Sequence, residues 1–259
     1  MMALVRAGHE EGPMGDADSA PKTSLHASVV DDLGARIARG DLATGSTMTL
    51  DELATQYGVS RTVIREAVRE LQSLGMVDSR RRVGSEVLPL ARWSVFHPKV
   101  IGWRIDSGSM RGQLTALTEL RLALEPVAAA LAAQRRSATQ AEKLVDLANE
   151  LYEAGVRDDM DRFVSIDVEF HTLILHAADN ELFSAHADSV SAALRGRAKH
   201  GVLPHPVVHS FELHQAVAES IMRRDPVCAQ SVMREILTDV VGEIARQNPR
   251  RYGTGPVSG

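Results

Sequence analysis

The sequence has a single cysteine, Cys228, no apolar run near membrane-spanning length, and no large excess of charge of either sign. One thiol excludes an intramolecular disulfide framework and a cysteine-rich zinc site, and it fits a reducing compartment. A helix that crosses a bilayer needs about 20 consecutive apolar residues, and no window approaches that. Residues 1–24 contain Gly, Pro, Asp and Glu but no apolar stretch of signal-peptide length, so they read as a disordered tail and the chain as cytoplasmic. A formal net charge of −5 excludes a general polycation, so any affinity for nucleic acid has to come from a local patch. Also missing are a serine nucleophile elbow, a phosphate-binding glycine loop and a second carboxylate cluster, which leaves an enzyme reading little to stand on.

What is present starts with enough apolar residues, 44% of 259, to bury a core in one large or two ordinary domains. Leu25, Val29, Leu33 and Ile37 recur every four residues before Gly40, the pattern of a first helix. Thr49 and Glu52 stand at capping-box spacing and open a short second helix that stops at Gly58. Ser60 can cap a third helix running to about Ser73, with Ala54, Val59, Ile64 and Val68 supplying the packing between the two. A short helix, a glycine turn and a longer helix make a helix-turn-helix. The alternation from Val77 to Pro89 then predicts two short strands around a turn near Gly84, a wing.

The third helix, Val59-Ser-Arg-Thr-Val-Ile-Arg-Glu-Ala-Val-Arg-Glu-Leu71, sets Arg61, Arg65 and Arg69 opposite Ile64, Ala67, Val68 and Leu71. Six arginines between Arg61 and Arg82 stand against Glu66, Glu70 and Asp78, a local positive patch on an acidic chain. Such a stripe taken alone is a solvated helix face held by i,i+4 pairs. Capping box, glycine turn, arginine helix and basic hairpin taken together point to DNA.

The run from Leu42 to Val77 resembles the winged helix of the GntR superfamily, through Gly58-Val-Ser-Arg-Thr-Val-Ile-Arg-Glu-Ala67 and Leu71-Gln-Ser-Leu-Gly-Met-Val77. The resemblance implies a DNA-contacting set of Thr49, Ser60, Arg61, Thr62, Arg65, Arg82 and Gly84, with the start of the third helix in the major groove. Two positions depart from the family pattern. Asp51 stands where many members carry a DNA-contacting arginine, and the Gly-x-Gly of the wing reads Arg82-Val-Gly84. The operator sequence therefore does not carry over. One such helix reads only a few base pairs, so a homodimer on a palindromic double-stranded operator is expected.

Residues 91–110 hold both tryptophans in an apolar, mixed linker expected to pack between domains. From Leu114 to about Arg246 the pattern is helical, with breaks near Ser137, Gly155, Asn180, Gly201 to Pro206, and Asp225-Pro226. Six helices with apolar stripes predict an antiparallel all-α bundle. The fold class is thus mainly α, a winged helix-turn-helix (25–90) followed by a linker (91–110), a bundle (111–247) and a disordered tail (248–259).

Within the bundle, Asp167 and His171 stand four apart on one helix face, and His214 lies on a later helix. Such a pair makes a simple side-chain hydrogen bond, or it offers an oxygen and a nitrogen to a divalent ion that a facing histidine completes. The alternative enzyme reading would make these three a catalytic metal centre. Arg121, on a strongly apolar helix, closes a salt bridge with Glu125 or reaches a ligand. Arg195 and Arg197 could add to such a pocket, but their spacing reads more simply as surface.

Glu119-Leu-Arg-Leu-Ala-Leu-Glu-Pro126, the stretch from Phe170 to Phe183 and that from Glu212 to Pro226 resemble the FCD effector domain of FadR-like GntR regulators. The resemblance implies effector binding by Arg121, Asp167, His171 and His214, and ligation of one divalent metal, zinc or similar, by the last three. The family's fourth ligand falls at Ile236, and His209 is badly placed to replace it. It also implies a small carboxylate effector. Trp93, Pro98, Val100 and Trp103 add a weaker likeness to repressors of sugar-acid catabolism such as gluconate and galactonate regulators. Another organic acid or acyl ligand is the alternative.

Overall fold

The computed structural model describes residues 25–80, 83–108, 110–201 and 208–247; both expected tails lie outside them. Helix α1 (Leu25–Arg39) buries Val29, Val30, Leu33 and Ile37. Strand β1 (Thr47–Met48) leads into α2 (Leu50–Tyr57), whose start is the full capping box: Glu52 N–H donates to the Thr49 hydroxyl, and Thr49 N–H donates to the Glu52 carboxylate at 2.9 Å. Gly58 ends α2 in the left-handed region at φ 64°. Ser60 caps α3 (Arg61–Ser73), which turns Ile64, Ala67, Val68 and Leu71 inward and its arginines outward.

Strands β2 (Val77–Arg80) and β3 (Gly84–Val87) form the wing hairpin. β3 also pairs with β1, in the order β1-β3-β2, so the wing is three-stranded where the sequence predicts two. Two residues carry too little alternation for β1 to show in sequence. Gly84 sits where β3 meets β1, at φ 109°, with the Met48 carbonyl oxygen 2.5 Å from where a Cβ would be.

The expected linker folds. Pro98 takes the first helical position of α4 (Pro98–Ile105) and His97 caps it, so the proline of the linker is a helix start. Val100 and Trp103 belong to the core of the winged unit, whereas Ile101 and Ile105 pack with Leu114, Leu117, Ala193 and Ile244 of the bundle. Lys99 reinforces the first contact with an ion pair to Glu70 at 2.7 Å. α4 is therefore a wedge with one face in each half.

The bundle comprises α5 (Met110–Arg135), α6 (Ala138–Val156), α7 (Met160–Ala177), α8 (Glu181–Ser184), α9 (Ala187–Lys199), α10 (Val208–Met222) and α11 (Pro226–Gln247). That is one helix more than the sequence pattern suggests among the described residues, the extra being the four-residue α8 capped by Asn180. Gly155 is a second correction. It lies inside α6, against the ring of Phe211 with no room for a Cβ, and the chain turns instead at Asp158, in the left-handed region at φ 58°. Asp179 and Arg224 make the same turn after α7 and α10. The last two fall beside the breaks expected near Asn180 and Asp225-Pro226, whereas the turn at Asp158 comes three residues after the one expected at Gly155. The class itself is as expected, a winged helix-turn-helix followed by a helical domain.

Gly34 of α1 packs beneath Trp103 of α4, and a Cβ there would lie 2.6 Å from the ring. Gly34→Ala is expected to destabilise the fold by about 1–3 kcal/mol through overpacking. Urea unfolding checks this, and a stability equal to wild type would contradict the packing described.

Candidate functional site

Two regions concentrate chemistry. The first is the outer side of α3 and the wing. Arg61, Thr62, Arg65 and Arg69 are exposed there, and a groove of about 370 Å³ between α3 and the hairpin is lined by Arg65, Arg69, Gln72, Ser79 and Arg80. Much of the patch is balanced within the fold. Arg61 makes a bidentate pair with Asp51, Arg69 pairs with Glu66 at 2.8 Å, and Arg80 pairs with Glu86 at 2.6 Å. Arg65 alone among these four has no ion-pair partner among the described residues. The Asp51 departure seen in the sequence thus has a structural role, holding the guanidinium of Arg61. Thr49 and Ser60 spend their side chains on helix caps, Gly84 meets a backbone need, and Arg82 lies outside the described residues.

The second region is buried in the bundle, where α7 brings Asp167 and His171, α10 brings His214 and α5 brings Arg121 and Glu125. All five are nearly or fully buried. Asp167 Oδ1 lies 3.3 Å from His171 Nε2 and 3.2 Å from His214 Nε2. His214 Nδ1 stands 2.6 Å from the Ser210 carbonyl, to which it donates in the neutral tautomer. His171 Nδ1 stands 2.6 Å from Glu125 Oε2, close in distance but off the hydrogen-bond axis. Glu125 also accepts from Arg121 Nε at 2.5 Å. Phe170 packs edge-on against both imidazoles and keeps water away.

Burial works against charge at Glu125, but the Arg121 guanidinium and then His171 outweigh it and hold the carboxyl down at about 2. Asp167 sits well below the usual carboxylate range because His171 and His214 more than offset its burial. Glu125 in turn raises His171 above the ordinary imidazole value despite burial. The outcome is a desolvated set of fixed charges, an arrangement that adds little stability over hydrocarbon packing and marks a candidate functional site.

These residues fit a divalent cation. With both Nδ1 atoms facing oxygens, the two Nε2 atoms and a carboxylate oxygen converge, all within 4.8 Å of one another. Apart from its 3.2 Å approach to Asp167 Oδ1, the buried His214 Nε2 has no hydrogen-bond partner among the described residues, as suits a lone pair kept for an ion. Ile236 is buried in the hydrocarbon core and supplies no fourth donor. His209 is exposed beside Glu235.

The structure brings Arg121, Asp167, His171 and His214 together and adds two residues that sequence reasoning misplaced. Glu125 is more than the partner of Arg121, since it also faces His171 across the α5–α7 contact. Arg197, read as surface, is 3% exposed, whereas Arg195 is exposed. The signal was available, because Arg197 continues the inward stripe of Val190, Ala193 and Leu194.

Helix α9 is also fastened to the wedge. Ile105 lies over Gly196, Lys199 and His200 bond the Asp106 carboxylate at 2.7 and 2.8 Å, and Ser189 donates to the Phe96 carbonyl.

Residues 25–87 match the family of bacterial regulatory proteins designated gntR, and residues 116–239 match the FCD domain. The chain is 26% identical over 238 residues to the uncharacterized HTH-type transcriptional regulator YieP of Escherichia coli (strain K12), covering 87% of this chain and 97% of that one. It is 25% identical over 168 residues to the galactonate operon transcriptional repressor of the same organism, covering 64% of this chain and 72% of the repressor. Among solved structures, that of Lar, which controls the expression of the Listeria monocytogenes agr system, superposes with a TM-score of 0.56 at 17% identity, covering 86% of this chain and 97% of Lar. The last likeness is one of fold.

Removing Glu125 leaves Arg121 buried without its counter-charge. Glu125→Ala is therefore expected to cost about 3–5 kcal/mol in unfolding free energy, while Arg121→Met combined with Glu125→Leu recovers most of the loss. Chemical denaturation of both variants checks this; a loss under about 1 kcal/mol in the single variant would refute the buried pair.

Proposed function

The chain belongs to the GntR family of bacterial transcription regulators and carries an FCD domain, and on that footing we propose its specific function. It is a homodimeric repressor of a carbohydrate-acid operon, gluconate- or galactonate-like, that leaves a palindromic operator when a small carboxylate binds. The family and its relatives are transcription regulators, so the metal-enzyme reading falls away. We take residues 25–90 as the DNA-binding unit and 111–247 as the effector and dimerisation unit, acting in the cytoplasm.

The observation that carries the effector reading is the buried convergence of Asp167, His171 and His214 beside Arg121, whose Nη1 has no hydrogen-bond partner among the described residues. A buried guanidinium with a spare donor suits a carboxylate oxygen. Asp167, His171 and His214 would hold the divalent ion, which when bound offers open positions to carboxylate and hydroxyl oxygens. With three protein donors the ion is held less tightly than in four-ligand relatives and depends more on the effector. The likeness to the galactonate operon repressor supports a sugar acid.

On the DNA side, Arg65 carries base recognition because it alone of the α3 and wing arginines described is not paired within the fold. Arg61 arrives at the groove already oriented by Asp51. Effector binding acts through α9 and the wedge α4 to change how the winged units are presented, and the ligand must bind the two arrangements unequally for this to release DNA.

Two tests follow. In fluorescence anisotropy with DNA from upstream of its own gene, Arg65→Ala should bind on the order of 10- to 100-fold more weakly and with relaxed base preference, with two chains per duplex in sedimentation. Equal affinity of wild type and variant would remove Arg65 from recognition, and a single chain per duplex would remove the dimer. D-galactonate or D-gluconate should release wild type from the same DNA, and Asp167→Ala should stay bound; release of both proteins alike would place the effector elsewhere.

A further inference from the structure

Arg197 projects from α9 into the interior, and nothing so far requires it there. It is 3% exposed, and among the described residues its Nε has no hydrogen-bond partner and its one ion-pair contact, Nη2 to Glu243, is a long 3.4 Å. A guanidinium kept for structure is normally saturated, since each buried donor left unpaired costs free energy. Burial, and then the charge of Arg121, lowers Arg197 to about 10, so the two cations feel each other in a desolvated space, while Asp167 attracts it. Two buried guanidiniums from different helices, each with an open N–H, are a donor set in search of an anion.

Arg197 shares the inward face of α9 with Val190, Ala193 and Leu194, whereas a cleft of about 620 Å³ between α7 and α9 is lined by the opposite face, Arg195, Ala198 and Lys199. The guanidinium is therefore turned to the bundle interior and away from that cleft.

We propose that Arg197 is a ligand-contacting residue, whose free Nε–H and the free Nη1–H of Arg121 together grip the carboxylate effector in the bundle interior. This rests on the reading of the Asp167–His171–His214 cluster as an effector site. It gives that site a specificity residue on the helix that also holds α4, so a ligand pulling on Arg197 pulls on the element joined to the wedge.

The test compares wild type with Arg197→Met and Glu243→Gln. In thermal unfolding without added acid, Arg197→Met is expected to melt at or above wild type, because it removes a buried charge whose Nε–H is unsatisfied and whose ion pair is long. Calorimetric titration then uses D-galactonate, D-gluconate, L-lactate and citrate as probes. For any acid that wild type binds, Arg197→Met should weaken binding on the order of 10- to 100-fold with metal content by elemental analysis unchanged, while Glu243→Gln leaves it intact. Undiminished acid binding by Arg197→Met overturns the proposal and leaves the effector site standing. Equal losses in both variants also overturn it, by reducing Arg197 to a partner of Glu243. If wild type takes none of the four acids, the carboxylate reading of the cluster has itself failed, and the role of Arg197 with it.

Discussion

The Glu125 carboxylate is the constraint on which the interior of the bundle depends. It accepts from Arg121 one helical turn away and faces His171 Nδ1 on α7 at 2.6 Å. These two contacts lock an arginine that burial would otherwise expel, and they orient an imidazole so that its Nε2 points to Asp167. Without them the histidine could turn, and the three donor atoms would no longer converge. Hydrocarbon residues in place of both Glu125 and Arg121 would make a bundle about as stable and a useless one. The bundle accepts buried charges only where they have a task, which is why the cluster, rather than any larger surface cleft, is the place to look for function.

The same reasoning connects the interior to the DNA-facing half. Helix α4 carries apolar side chains on two faces, Val100 and Trp103 toward the winged core and Ile101 and Ile105 toward the bundle. α9 presses on its C-terminal end through Gly196 and holds Asp106 with Lys199 and His200. Packed interfaces of this kind move between discrete arrangements rather than deform smoothly. The wedge is thus the joint between the two halves, and in the function proposed above it is the element through which effector binding acts.

Local physics made part of this legible in the sequence. Thr49 with Glu52, and Ser60 before the arginine helix, are caps whose partners lie three residues away, so spacing alone predicts them. Asp167 and His171 share a helix face for the same reason. What stayed hidden depends on contacts between elements. That Glu125 reaches His171 requires α5 against α7, and that Asp51 holds Arg61 requires the crossing of α2 and α3. The fold of residues 98–105 was masked because one short helix serves two cores and shows no single apolar stripe. Arg197 is the instructive case, since its periodicity pointed inward while its residue type pointed outward, and the burial pattern won. His214 could be named only as a histidine on a later helix able to face Asp167 and His171, and the family resemblance then singled it out, because nothing local to its helix ties it to Asp167.

The central claim is that Asp167, His171 and His214 form one cation site coupled to an anion site. Cobalt(II) titration of the wild-type protein followed by visible absorption tests it most directly. The account predicts stoichiometric growth of ligand-field bands that shift when D-galactonate or D-gluconate is added and that are lost in Asp167→Ala. Bands that fail to saturate, or that persist unchanged in Asp167→Ala, would contradict it.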